Sequence, residues 1–258
     1  MPTPASRVLP LLGFLTLILL GSPLVLAADL YDAAVANPAR PEKDLKRDAL
    51  DHPAELLRLA GIKPGMVVAD YMGANGYYSE LLSYVVGPKG HVYLLNNIAY
   101  DNWSQGGWKQ RIDGRLPNVE HLQMDAEHLG LADKSVDAIV LSKVYHDLYW
   151  SDPDPKDQWP NYDVPKVLGE IARVVKSGGI LLLIDHSAKP GTGSSAAGSI
   201  HRIDEAYAKE DFEKHGFTLI GKSDLLRRAD DPRDAITYEG PMVGKTDRFV
   251  LVFRRNKT

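Results

Sequence analysis

From Met66 onward, short apolar runs alternate with stretches whose apolar residues recur every three or four positions. Met66–Ala69 reads as a buried strand. Tyr77–Val86 reads as a helix, with Tyr78, Leu81, Leu82 and Val85 at i, i+3, i+4 and i+7. Gly87-Pro88 ends it, because a glycine and then a proline cannot continue the last turn. Further strands are expected at Val92–Leu95, Val119–Leu122, Val136–Leu141, Ile180–Ile184, Phe217–Ile220 and Arg248–Phe253. Residues 97–118, rich in Asn, Gly and Trp, read as a loop with a short helix. Val164–Val175 is expected to be a helix, with Val164, Val167, Leu168, Ile171 and Val175 on one face. Pro165 sits in its first turn, where proline is tolerated, and Ser177-Gly178-Gly179 stops it. His201–His215 is expected to be helical. Apolar strands separated by amphipathic helices predict an α/β fold, a mostly parallel sheet with helices on both faces.

Two segments precede this pattern. Residues 29–62 are polar and charge-rich, divided by Pro38, Pro41 and Pro53. Leu56, Leu57, Leu59 and Ala60 give their last part an apolar side. They read either as short helices lying over the main domain as a lid, or as a loosely packed arm. In residues 1–28 the only charge is Arg7, followed by apolar Val8–Leu20 and a Gly21-Ser22-Pro23 break. Val25-Leu26-Ala27 then offers the small-residue pattern cut by signal peptidase. The alternative is an uncleaved anchor, since Val8–Ala28 is charge-free and just long enough to span a bilayer. The break argues against one continuous helix. The expected organisation is a signal peptide over 1–27, a helical N-terminal lid over 28–62 and the main domain over 63–258. The expected location is periplasmic or secreted, with no stable membrane insertion after cleavage.

Composition narrows this little. The 258 residues are 44% hydrophobic and 25% charged, ordinary values for a globular chain. The net charge of −4 becomes one unit more negative when Arg7 is lost, which does not suggest nucleic acid or anionic lipid as a partner. The absence of cysteine excludes disulfides, thiolate metal sites, cysteine nucleophiles and a lipoprotein anchor.

Candidate chemistry gathers where strands end. Ligands of parallel sheets bind at the carboxyl ends of strands, near the point where strand order reverses. Asp70 ends the first strand, and Gly73 and Gly76 in the following loop permit close backbone approach. The helix from Tyr77 points its positive N-terminus there. Asn96 ends the second strand, placed to hydrogen-bond a ribose hydroxyl. Asp125-Ala126 follows the third, where an acid can meet an adenine amino group. Ser142 ends the fourth, over the same cleft. Ala172–Leu182 couples a helix, a Gly-Gly turn and a strand. Alone, the loop at Gly73 would equally serve as a tight strand-to-helix turn.

Taken in order over about residues 55–185, these motifs resemble the class I S-adenosylmethionine-dependent methyltransferases. The resemblance implies a Rossmann-like, seven-stranded fold and S-adenosyl-L-methionine as cofactor. It implies that Asp70, Gly73, Gly76, Asn96, Asp125, Ala126 and Ser142 hold that cofactor. A narrower resemblance rests on Arg40-Pro41, Gly61–Met66, Tyr145–Tyr149, His201–Glu205 and Gly244–Phe249. These are similar to a family of predicted bacterial methyltransferases that often carry signal peptides, and they leave the substrate open. The usual methyltransferase loop reads Asp-x-Gly-x-Gly-x-Gly. Met72 and Ala74 occupy its first two glycine positions, and Gly76 keeps the third. Met72 would put a long side chain where the methionine part of the cofactor lies.

His146-Asp147 follows the fourth strand by four residues, in a loop that faces the methyl acceptor in such enzymes. A histidine can deprotonate a hydroxyl or amine near neutral pH, or it can simply cap and pack the loop. Asp185-His186 ends the fifth strand. His201 and Glu205 are spaced i, i+4 and Arg202 and Glu205 i, i+3 on the expected helix. The catalytic candidates are His146, Asp185 and His201. Together His146, Asp185, His186, His201 and Asp204 could offer nitrogen and oxygen metal ligands, but no spacing matches a metal motif and no metal is expected. Asp230-Asp231 and Asp234 read as a solvated turn. Trp103, Trp108, Trp150 and Trp159 could line an acceptor pocket, with core or surface packing as the alternative. The expected function is methyl transfer to a small-molecule substrate, achieved by positioning for in-line attack. The alternative is an exported, non-catalytic ligand-binding protein on the same fold.

Overall fold

The computed structural model describes Met1, residues 29–151 and residues 158–257. But for Met1, the expected signal peptide lies outside the described residues. Strands β1 (Val67–Tyr71), β2 (His91–Asn96), β3 (Val119–Gln123), β4 (Val136–Ser142), β5 (Val175–His186), β6 (Phe217–Ser223) and β7 (Arg248–Arg255) form one sheet. Their order is β3-β2-β1-β4-β5-β7-β6. The first five run parallel, and β7 lies antiparallel between β5 and β6. Strand order reverses between β1 and β4, so Asp70, which pairs with Val140, and Ser142 both lie near the switch point.

The period-two alternation of the strands divides the core between two faces. Val68, Val92, Leu94, Ala138, Val140, Leu182 and Ile184 meet α1 (Leu30–Val35), α3 (Pro53–Ala60) and α4 (Tyr77–Val86) on one face. Ala69, Tyr71, Leu95, Ile139, Leu141, Leu181 and Leu183 meet α7 (Val164–Val174) and α9 (Glu205–Lys214) on the other. The apolar positions of α4 are buried at 3% exposure or less. Each such aliphatic side chain contributes about 1.5–3 kcal/mol.

The N-terminal region packs in two ways. From α3, Leu56, Leu57 and Ala60 enter the core, while Leu59 stays exposed. Helix α2 (Glu42–Asp51) instead exposes Leu45 and Leu50 and buries Asp44 and Asp51. Charge holds it in place. Asp51 accepts from Arg47 Nε at 2.9 Å and Lys143 Nζ at 3.0 Å, and also pairs with Arg248. Burial opposes its charge, but Lys143, Arg47 and Arg248 outweigh burial and hold its carboxyl far below the usual range.

Several expectations are corrected. Residues 97–118 contain two short helices, α5 (Ile98–Ser104) and α6 (Gly107–Ile112). Helix α7 stops at Val174, before the Gly-Gly pair. Val175 already pairs with Val136, and the register then shifts so that Ala138 faces Ile180. Ser177-Gly178-Gly179 therefore forms an irregularity inside β5 rather than a helix stop. The helix expected from His201 begins only at Glu205, capped by Asp204, whose side chain accepts from Ala206 N at 2.9 Å. Before it, α8 (Ala197–Ile200) ends on a left-handed His201 (φ 52°). That turn separates His201, Arg202 and Glu205, which share no helix face.

Arg202 points inward and meets Asp231 at 2.7 Å, with both side chains fully buried. Asp231 also accepts from Asp247 N at 2.6 Å and Arg233 N at 2.9 Å. It is therefore a buried anchor, whereas neighbouring Asp230 and Asp234 are exposed. Removing one partner of a buried pair leaves the other charge uncompensated. Asp231→Ala is expected to destabilise the protein by about 3–5 kcal/mol in urea titrations, against less than about 1 kcal/mol for Lys209→Ala in an exposed pair.

Candidate cofactor cleft and histidine cluster

A cavity of about 340 Å³ opens over the ends of β1 and β4, within the size range of small-ligand pockets. Asp70, Met72, Gly73, Ala74, Asn75 and Ser142 line it from the sheet side, and Lys43, Asp44 and Arg47 of α2 from another. The Asp70 carboxylate, 1% exposed, accepts from Ser79 Oγ at 2.6 Å. Burial dominates and pushes its pKa up to about 6, despite Ser79 and the more distant Arg47 and Arg111.

The loop after Asp70 keeps a glycine-like backbone without all of the glycines. Met72 (φ 50°), Ala74 (φ 53°) and Gly76 (φ 73°) are all left-handed. A non-glycine residue pays about 1–2 kcal/mol for that conformation. Hydrogen bonds offset the strain. Met72 N donates to Leu95 O at 2.6 Å, and Ala74 N donates to Asn96 Oδ1 at 2.9 Å. Asn96 Nδ2 donates back to Ala74 O at 3.0 Å and to Asp101 at 2.9 Å. At Gly73, a Cβ would stand 2.3 Å from Asp70 Oδ2, so only glycine fits. Met72 borders the cleft, but its side chain is 1% exposed and belongs to the apolar cluster beneath α7.

The remaining cofactor candidates separate. Ser142 Oγ and Asn75 Oδ1 are buried without a protein partner and belong to residues lining the cleft. Asn96 lies outside this lining, and its amide clamps the loop through Ala74. Asp125 lines a second cavity with Asn97, Ile98, Met124 and Tyr162, where its side chain accepts from Glu127 N at 2.9 Å. Ala126 is fully buried in the core.

Residues not singled out from the sequence complete the cleft. Lys143, directly after Ser142, lines it, and burial and Arg47 lower its pKa to about 8 against the pull of Asp51. Tyr77, Tyr78, Tyr100 and Arg111 line it as well, together with Trp103, which the sequence did offer as a pocket residue. Arg111 bonds Asn75 O at 2.8 Å and Asp44 at 2.6 Å, tying the loop to α2. The acidic and basic i, i+3 and i, i+4 spacing of Asp44, Arg47, Asp48 and Asp51 was the available signal. Of the other tryptophans, Trp108 stacks on His121 at 3.7 Å, and Trp150 packs on Trp159 at 5.0 Å.

The catalytic candidates gather beside the cleft rather than in its lining. His146 is 3% exposed. Its Nδ1 lies 2.6 Å from Asp185 Oδ1, its Nε2 lies 3.2 Å from Asp147, and its backbone N donates to Asp185 Oδ2 at 2.9 Å. Burial opposes its charge, but Asp147 and Asp185 outweigh burial and push its pKa up to about 10. The two carboxylates therefore favour the protonated ring, and a ligand at Nε2 has to displace a proton. Asp185 also accepts from His186 N at 2.7 Å. His201 Nδ1 lies 3.2 Å from Asp147, and Tyr100 Oη donates to Asp147 at 2.7 Å. His186 and Asp204 turn elsewhere, to Thr246 at 2.8 Å and Gly191 N at 2.6 Å.

Comparison with known proteins agrees with this geometry. A family described as a methyltransferase domain matches residues 75–183. The ubiquinone/menaquinone biosynthesis C-methyltransferase UbiE of Vibrio campbellii is 30% identical, over 71% of this chain and 64% of that one. The Haemophilus ducreyi protein of the same name is 32% identical, over 50% of this chain and 44% of that one. The chain thus spans less than two thirds of the length of these curated relatives. A crystal structure of a SAM-dependent methyltransferase from Aquifex aeolicus superposes with a TM-score of 0.57 at 24% identity, covering 83% of this chain and 96% of that one. The fold is that of the S-adenosylmethionine-dependent methyltransferases. Residues 75–183 resemble a methyltransferase domain, and S-adenosylmethionine is the cofactor these likenesses support.

The strain in the loop is open to measurement. Ala74→Gly is expected to raise stability by about 1 kcal/mol. Asn96→Ala, which frees the loop and leaves Ala74 unpaired, is expected to lower it by about 2 kcal/mol in the same denaturation experiment.

Proposed function

We propose that the protein binds S-adenosyl-L-methionine in the cleft at β1 and β4 and transfers its methyl group to a small-molecule acceptor. The observation that carries this reading is the meeting of an under-compensated buried Asp70, a left-handed loop and the unpartnered Ser142 hydroxyl in one cavity. The cofactor's ammonium suits Asp70, and its carboxylate suits Lys43, Arg47 or Lys143. Bound there, the cofactor would supply an electrophilic methyl: the acceptor's lone pair would bond to it as the sulfur leaves with the C–S pair as S-adenosylhomocysteine and the acceptor's proton passes to water, so alignment is the main requirement. The alternative, a non-catalytic binding protein, rests on export and on Met72. The left-handed backbone at Met72 keeps the loop's shape and weakens the second ground.

Export is part of the same reading. The N-terminal pattern supports cleavage after Ala27 and a periplasmic or secreted location. No helix among the described residues is long and apolar enough to cross a membrane.

Calorimetry of the chain from Ala28 with S-adenosylhomocysteine is expected to give micromolar binding, and no heat at high micromolar ligand overturns the proposal. Asp70 must be ionised to hold the ammonium of S-adenosylmethionine. Its folded pKa of about 6 is raised, so the affinity for this ligand is expected to fall about tenfold per pH unit below pH 6. Asp70→Asn should bind weakly with no such slope. Protein recovered from a periplasmic extract should begin at Ala28, and a start at Met1 in a cytosolic fraction would refute export.

A further inference from the structure

The histidine cluster beside the cleft has an arrangement that methyl transfer does not use. His146 Nε2 and His201 Nδ1 each stand 3.2 Å from Asp147 Oδ1. One ligand atom from each of these three residues lies within 4.8 Å of the others. Two ligands on a tetrahedral ion with bonds of about 2.0–2.1 Å stand about 3.3 Å apart. Both imidazole-to-carboxylate distances match that separation, and the two imidazole nitrogens lie within 4.8 Å of each other. His146 and Asp147 are buried and His201 is partly exposed, so the cluster is open on one side.

The surroundings supply a second, independent observation. The Nδ1 of His146 faces Asp185, a fully buried carboxylate that is itself fixed by His146 N and His186 N. A histidine held in this way through one ring nitrogen presents the other in a set orientation, as metal-ligating histidines do. Asp147 is fixed similarly. Its Oδ2 accepts from Tyr100 Oη at 2.7 Å, which leaves Oδ1 facing both imidazoles.

We propose that His146 Nε2, His201 Nδ1 and an Asp147 carboxylate oxygen form a binding site for a divalent transition metal such as Zn²⁺. Two imidazole nitrogens favour such an ion over Mg²⁺ or Ca²⁺, which prefer oxygen alone. Three protein ligands leave a fourth position for water or another oxygen. Tyr100 both bonds Asp147 and lines the cofactor cleft, so one side chain connects the two sites. The metal site stands whether or not the protein transfers methyl groups.

The test uses the chain from Ala28, stripped with chelator and titrated with ZnCl₂ or MgCl₂ by calorimetry, with bound metal counted by elemental analysis. One Zn²⁺ per chain at micromolar affinity or better is expected, with no heat from Mg²⁺. His201→Ala and Asp147→Asn should each weaken Zn²⁺ binding at least about 100-fold, and circular dichroism shows whether each variant remains folded. Absence of Zn²⁺ binding to the unaltered chain at about 100 μM overturns the proposal, as does undiminished binding by a folded His201→Ala. Titration of the unaltered chain with S-adenosylhomocysteine reads the cofactor cleft separately, so the two proposals fail independently.

Discussion

A carboxylate at the end of a buried parallel strand must find compensation, because an unpaired charge in a low-dielectric interior costs several kcal/mol. Two strands of this sheet end on such groups. Asp185 at the end of β5 is fully buried and meets two backbone N–H groups and the His146 ring. Asp70 at the end of β1 is almost as buried, but Ser79 is its hydrogen-bonding partner, and its pKa stands at about 6. One carboxylate is satisfied by the protein. The other is left where a cationic ligand group would gain most.

The same constraint organises the walls around Asp70. Asp51 binds α2 to Lys143 at the end of β4 and to Arg248 at the start of β7. Arg111 joins α2 to the loop through Asp44 and Asn75. Helix α2 buries charge more than apolar surface, so its position depends on these cations. The cleft's electrostatics and the placement of its covering helix are therefore one network. Tyr100 extends the connection from the cleft to Asp147 and the histidines.

The loop shows how backbone shape and side-chain identity separate. Met72 and Ala74 take the left-handed conformation that glycine adopts freely. Asn96 and Leu95 hold them there through hydrogen bonds from β2. Gly73 cannot be exchanged in this way, because Asp70 fills the space a Cβ would need.

The strand and helix pattern was legible because periodicity and turn residues act locally. The apolar stripe of α4 and the parallel strands followed from residue spacing, as did the switch-point position of Asp70. The motifs at Asp70 and Ala172–Leu182 pointed to the methyltransferase fold. The partners of the charged residues were not legible. Asp51 and Arg248 are 197 residues apart, and Arg202 and Asp231 are 29 apart. Neither pair follows from any local rule. The carboxylates on both sides of the His146 ring and the clamp of Asn96 on Ala74 were equally invisible in the sequence. The chain by itself thus determined its elements, its sheet and the strand end where a ligand belongs. Only the tertiary structure decided which charges meet, because desolvation and pairing depend on distances that sequence separation does not set.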